Sequence, residues 1–269
     1  MSARMRKRFG QHFLEPVWAD KVLNAIGPAT DDVFLEVGPG SGVLTLRLAA
    51  KVARLLAVEI DRDLIRNLAP QLPSNASIHE GDVLDTDLVK VLDSAGVDSM
   101  IRIAGNLPYN VSSPILFRLL ALQAKRPVRD ATLMLQREVA ARIMARPGSG
   151  EYGVLSVLVQ WRASVKRLLT LPPGAFRPPP AVHSVLLGLT FRPPEVVVRE
   201  PLIFEALVRS VFTQRRKTLG NALSRFAAET RLSAREALGR ADLDPGRRPQ
   251  TLEIVEIARL ADVFTSTIQ

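Results

Sequence analysis

Four residues, Asn106-Leu107-Pro108-Tyr109, follow an apolar run over residues 101–105 and place a carboxamide, a proline and an aromatic ring at a strand end. The carboxamide oxygen accepts from an amine, the proline leaves backbone carbonyls outside any ladder, and the tyrosine offers a face for stacking. That set suits a flat ring bearing an amine. Taken alone it is also an ordinary strand-ending turn, because Asn and Pro are common turn residues. Three other features shift the balance. Glu36 stands two residues before the loop Gly38-Pro39-Gly40-Ser41-Gly42, whose glycines let the backbone turn sharply and approach a ligand closely. Glu59 follows about twenty residues later, where an acid at a strand end accepts from ribose hydroxyls. Asp82 closes Glu80-Gly81-Asp82 and is placed to accept from an adenine amine.

These residues need a scaffold that gathers strand ends. Short apolar runs predict strands over residues 33–38, 55–60, 76–82, 101–106 and 132–136, with helices over 44–52, 63–72, 113–121 and 138–145 between them. Such alternation predicts an α/β fold with a largely parallel sheet and crossover helices. A leading helix spans 16–26, and another apolar stretch covers 153–161. Runs 165–171 and 184–191 read as an antiparallel hairpin at the sheet edge. Arg192-Pro193-Pro194-Glu195 reads as a linker. Beyond it, 201–212, 216–228 and 252–264 read as helices, so the predicted division is 1–195 and a helical domain over 196–269.

In this fold, polar residues at successive strand ends converge on the crevice where open α/β sheets bind ligands. Val43 stands where the dinucleotide fingerprint needs its last glycine, and no Lys-Ser/Thr pair follows the loop, which excludes a P-loop. The compact loop with its preceding acid resembles the S-adenosylmethionine loop of Rossmann-like methyltransferases.

The formal net charge of +9 points to a polyanionic partner. The charge gathers in Arg4, Arg6, Lys7, Arg8 and again in Arg215, Arg216, Lys217, two clusters that sharpen the case for nucleic acid. The absence of cysteine excludes disulfides, Cys-ligated zinc and a thiol nucleophile, and fits a cytoplasmic location. No apolar run reaches membrane-spanning length and no signal-peptide pattern is evident. A metal is not expected, nor is a membrane partner.

The sequence closely resembles the KsgA family of small-subunit ribosomal RNA adenine dimethyltransferases. The resemblance rests on the segments 7–14, 36–42, 59–61, 81–82, 106–109, 135–139, 152–156, 176–184 and 212–219, in that order and spacing. It implies a Rossmann-like, S-adenosylmethionine-dependent methyltransferase sheet with a small C-terminal helical, RNA-binding domain. By resemblance, Gln11, His12 and Leu14 approach the cofactor, and Glu36, Gly38, Gly40, Glu59, Asp82 and Asn106 complete its site. His12 stands where many relatives carry Asn, so a backbone contact is what carries over there, and His183 reads as a loop residue. Asn106, Leu107, Pro108 and Tyr109 would hold the acceptor adenine, with Phe176 closing its other face. Arg6, Lys7, Arg8 and Arg215–Lys217 would contact RNA. Phe13 reads as a core residue, and Gly105 as the small neighbour that readmits a monomethylated amine. The implied reaction is dimethylation at N6 of two adjacent adenosines near the 3′ end of the small-subunit RNA, by a monomer. Two alternatives stand beside it: a large-subunit RNA methyltransferase of the antibiotic-resistance type, and a non-catalytic assembly factor.

Overall fold

The computed structural model describes residues 11–268, with side chains described through Thr265. Arg4, Arg6, Lys7, Arg8 and Phe9 lie outside the described residues. The chain divides into two compact units.

The first unit runs to Ala140 and resumes over Ser164–Phe191. Its strands are β1 (Phe13–Leu14), β2 (Val33–Val37), β3 (Arg54–Glu59), β4 (Ala76–Glu80), β5 (Ile101–Asn106), β6 (Val128–Gln136), β7 (Ala163–Leu171), β8 (Phe176–Arg177) and β9 (Ser184–Phe191). Seven form one sheet in the order β4-β3-β2-β5-β6-β9-β7. The pairs from β4 through β6 are parallel, and β9 joins β6 antiparallel. The two late strands are neighbours at the edge, but it is β9 that faces inward. Their burial explains the order: β9 is mostly buried, whereas β7 exposes Lys166 and Arg167, charged residues that blunt an edge strand.

Helices α1 (Pro16–Ile26), α2 (Val43–Ala49), α3 (Arg62–Leu68), α4 (Leu88–Ser94) and α5 (Ser112–Gln123) belong to this unit. Helix α1 starts with Pro16, whose fixed φ suits a first turn, and stops at Gly27 with φ 56°. Its buried Ala19, Val22, Leu23 and Ile26 recur at helical spacing and form one apolar stripe. They join a core containing Phe34, Leu48, Leu55, Ala104 and Met134.

The order in which successive strands are added reverses at the parallel β2–β5 pair. Strands β3 and β4 extend the sheet to one side of it, and β6 extends it to the other. The C-terminal ends of β2 and β5 flank the crevice of such a switch point, which is where open α/β sheets bind ligands. At the opposite end, buried Arg102 of β5 pairs with Asp32 at 2.7 Å and Asp130 at 2.9 Å and donates to the carbonyls of Ile26 and Gly27. Every arm of that guanidinium is met, the condition for burying a charge without a large penalty.

The second unit comprises Ala141–Ala163 and the chain from Arg192 onward. It holds α7 (Val154–Arg162), α8 (Pro201–Phe212), α9 (Leu219–Ala228), α10 (Ala234–Arg240) and α11 (Ile254–Ile268), with α6 (Arg137–Met144) leading into it. Segment 141–163, placed in the first domain by sequence, thus packs with the later helices. Trp161 meets Phe204 at 4.7 Å between ring centroids and donates to the Val196 carbonyl, while Tyr152 meets Phe212 edge-on. Helix α9 begins at Leu219 with Thr218 as its N-cap. Arg215, Arg216 and Lys217 therefore lie on an exposed turn and not on a helix face. Among the described residues no helix is long and apolar enough to cross a membrane.

Candidate active site

Strand β2 carries Glu36 and leads into the glycine loop, where Gly38, Gly40 and Gly42 have φ of 70°, 59° and 80°. A Cβ on Gly40 would sit 3.1 Å from the Phe13 ring, so the loop needs glycine both for its left-handed backbone and for that approach. Strand β3 ends at Glu59, which is 5% exposed. Its carboxylate accepts from the amides of Gly40 at 3.1 Å, Ile60 at 2.9 Å and Asp61 at 3.0 Å. Burial pushes this carboxyl above the ordinary range, although the three amides pull it back. A carboxylate offers about four acceptor positions, so room is left for a hydroxyl donor.

Strand β5 ends at Asn106. The side-chain Nδ2 donates to the His12 carbonyl at 2.7 Å, and because a carbonyl only accepts, this fixes Oδ1 as the open acceptor. The Leu107 amide donates to Met134, and the Pro108 carbonyl accepts from Val111. The Leu107 carbonyl accepts no hydrogen bond among the described residues. Tyr109 bonds the buried Ser184 hydroxyl at 2.5 Å, and its ring stacks on His12 with centroids 5.3 Å apart and planes 29° apart. Burial pushes the Tyr109 phenol up, so it stays neutral. His12 Nδ1 donates to the Pro178 carbonyl at 2.6 Å.

One cleft gathers Gln11, His12, Gly38, Gly40, Glu59, Asn106, Leu107, Pro108 and Tyr109. Glu36 stands behind it, 2% exposed. Burial, reinforced by the charge of Glu59, pushes the Glu36 carboxyl up to about 7. The Thr45 hydroxyl of the neighbouring helix pulls it partly back, and Glu36 Oε2 has no hydrogen-bond partner among the described residues.

Four expected site residues do not take the positions foreseen. Asp82 lies two residues past the end of β4 on a turn, where its Oδ1 accepts from the Leu84 amide, and it does not line the cleft. The Glu59–Glu80 pairing across β3 and β4 keeps that turn at the same end of the sheet. Leu14 and Phe176 face each other across the β1–β8 pair and are buried in the core. Phe176 is 1% exposed, so a base contact finds no support in its position. A Cβ on Gly105 would meet the Val37 carbonyl at 2.7 Å, so its smallness serves the close approach of β5 to β2 and not the cleft.

Two cleft residues were missed. Phe13 lines the cleft. Strand side chains alternate, so an inward Leu14 already sends Phe13 outward. Ile60, 42% exposed, also lines it. An apolar residue lodged between Glu59 and Asp61 at a strand end was the available signal.

The sequence matches the family described as ribosomal RNA adenine dimethylase over residues 2–260. The chain belongs to the ribosomal RNA adenine dimethylase family. Among curated relatives, it is 41% identical to "Ribosomal RNA small subunit methyltransferase A" of Pseudomonas aeruginosa, covering 96% of this chain and 94% of the relative. It is 44% identical to the protein of the same name from Burkholderia sp, covering 95% and 91%. Two solved structures share the fold. A dimethyladenosine transferase from Plasmodium falciparum superposes with a TM-score of 0.73 at 24% identity, covering 93% of this chain and 96% of that one. The 23S rRNA methyltransferase ErmE superposes with a TM-score of 0.61 at 23% identity, covering 94% and 99%.

Proposed function

We propose that this dimethylase transfers methyl groups from S-adenosylmethionine to N6 of two adjacent adenosines near the 3′ end of small-subunit ribosomal RNA, giving N6,N6-dimethyladenosines during subunit biogenesis. The observation that carries the reading is Asn106, whose carboxamide is held by His12 with its oxygen open, in one cleft with Glu59 and the glycine loop. The cleft fits the cofactor. Glu59 keeps an acceptor position for ribose hydroxyls, Gly38 and Gly40 allow close backbone approach, and exposed Ile60 offers an apolar face. Gln11, His12 and Leu14 would contribute through the N-terminal segment, Asp82 would accept from the cofactor's adenine amine, and Glu36 would support the loop from behind.

S-adenosylmethionine supplies a methyl group already activated on a sulfonium. The chain's task is then to position the acceptor in line. Adenine N6 is a poor nucleophile because its lone pair is delocalised into the ring. Asn106 Oδ1 and the Leu107 carbonyl accept its two hydrogens, which localises that lone pair and aims it. Pro108 holds the turn, and Tyr109, backed by His12, gives the base a stacking face worth about 1–3 kcal/mol. The proton leaves to water. A paired adenine cannot enter, so the target is a loop or flipped nucleotide.

Arg6, Lys7, Arg8, Arg215, Arg216 and Lys217 would meet phosphates of the assembling small subunit, with the helical unit as the RNA-binding domain. The enzyme would work in the cytoplasm as a monomer. Calorimetry separates an enzyme from a non-catalytic factor. S-adenosylmethionine binds the wild type in this reading, and Glu59→Ala weakens that binding by about a hundredfold, the loss of a charge-assisted hydrogen-bond pair. Binding of RNA without the cofactor would favour the factor.

A further inference from the structure

The turn that carries Asp82 is held from outside. Within it, the amides of Asp85 and Thr86 donate to the Asp82 carbonyl at 3.0 and 2.7 Å, and the Leu84 amide donates to Asp82 Oδ1 at 2.9 Å. The Thr86 carbonyl in turn accepts from Arg118 Nη2 at 2.7 Å. Arg118 belongs to α5, the helix that starts directly after the Asn106–Tyr109 loop. At its N-terminal end the Ser112 hydroxyl donates to the Tyr109 carbonyl and the Val111 amide to that of Pro108. Arg118 follows Ser112 by six residues, about 9 Å along the axis. One helix therefore touches the acceptor loop at its start and braces the Asp82 turn further on.

Arg118 is an expensive way to hold a turn. Its Nε is buried and has no hydrogen-bond partner among the described residues. The cost of a buried donor left unmet is comparable to what a charged hydrogen bond contributes. Stability alone gives little reason for an arginine here, since an apolar side chain of similar length would fill the space without the orphan.

We infer that Arg118 is a positioning residue for the methyl-donor site. Through the Thr86 carbonyl it fixes the turn that orients the Asp82 carboxylate, and through α5 it ties that turn to the acceptor loop. The inference rests on the proposed cofactor role of Asp82. Arg118→Met retains the stem and removes both the brace and the orphan. The melting temperature is expected to stay within about 2 °C of wild type, since the lost hydrogen bond and the removed orphan offset each other. The dissociation constant for S-adenosylmethionine rises about three- to tenfold. In steady-state assays KM for the cofactor rises in step, and kcat at saturating cofactor is unchanged.

A double-mutant cycle completes the test. In an Asp82→Ala background, Arg118→Met adds less than about twofold, because the group it positions is gone. Arg118→Lys, which can still donate to Thr86, binds within about twofold of wild type. A melting temperature that falls in Arg118→Met while cofactor affinity stays at the wild-type value would overturn the inference, as would full additivity with Asp82→Ala. Unchanged affinity in Asp82→Ala alone would instead overturn the role given to Asp82, and no binding by the wild type would overturn the proposed function.

Discussion

Asn106→Ala lowers the rate of methyl transfer by about 10²–10³-fold, the cost of removing one preorganised hydrogen-bonding group at a reacting centre. The structure explains why so much rests on one side chain. With Nδ2 committed to the His12 carbonyl at 2.7 Å, the carboxamide has a single orientation and presents its oxygen to the cleft. Alanine removes the acceptor and frees the His12 segment together. Cofactor affinity changes less than tenfold, because Glu59 and the glycine loop keep their own hydrogen bonds. Asn106→Asp provides the contrast. It keeps acceptor oxygens but places a carboxylate against the His12 carbonyl, so it also loses activity, by a smaller factor. Single-turnover rates with saturating RNA and cofactor measure both variants. Turnover within threefold of wild type in Asn106→Ala would remove the side chain from the chemistry.

Glu36→Gln makes the protein more stable at alkaline pH than at acidic pH relative to wild type. The folded-state pKa of Glu36 is raised from its ordinary 4.5 to about 7, chiefly by burial. Its contribution to stability is therefore fully present below pH 4.5 and is lost as pH rises through 7. That span corresponds to roughly 3 kcal/mol at about 1.4 kcal/mol per pH decade. Glutamine cannot ionise, so the variant escapes the loss. Urea unfolding at pH 5.0 and 8.5 gives the stability difference between variant and wild type, which grows by roughly 2–3 kcal/mol between the two. Glu59 is also raised by burial, but it is present in both proteins and largely cancels. A difference independent of pH would mean that Glu36 is solvated or paired in the folded protein.

The parts of the fold that were legible in the sequence are those specified by local pattern. Strands β2 to β5 are short apolar runs closed by glycine or a polar residue, and their ends carry Glu59 and Asn106 directly into the cleft. Helices α4 and α10 were not read from the pattern, although Asp87 and Ser233 cap their starts. Features that depend on distant partners were not legible. The β1–β8 pair is two residues long and joins positions far apart in sequence, yet it decides that Phe176 and Leu14 go to the core and Phe13 to the cleft. Helix α7 has a local pattern like its neighbours, and only its packing with α8 assigns it to the second unit. Asp82 was placed at a strand end because the apolar pattern does not show that β4 stops at Glu80 and a turn follows.

In the proposed function the glycine loop, the open Asn106 oxygen and Tyr109 together form an adenine N6-methylation site, and the substrate is where that claim is most exposed. The protein is incubated with labelled S-adenosylmethionine and, separately, with undermethylated small subunits, their naked RNA and large-subunit RNA, and the products are mapped by mass spectrometry. The account predicts N6,N6-dimethyladenosine at two adjacent positions near the 3′ end of the small-subunit RNA and none in large-subunit RNA. Dimethyladenosine confined to large-subunit RNA, or label transferred to no RNA, would contradict it.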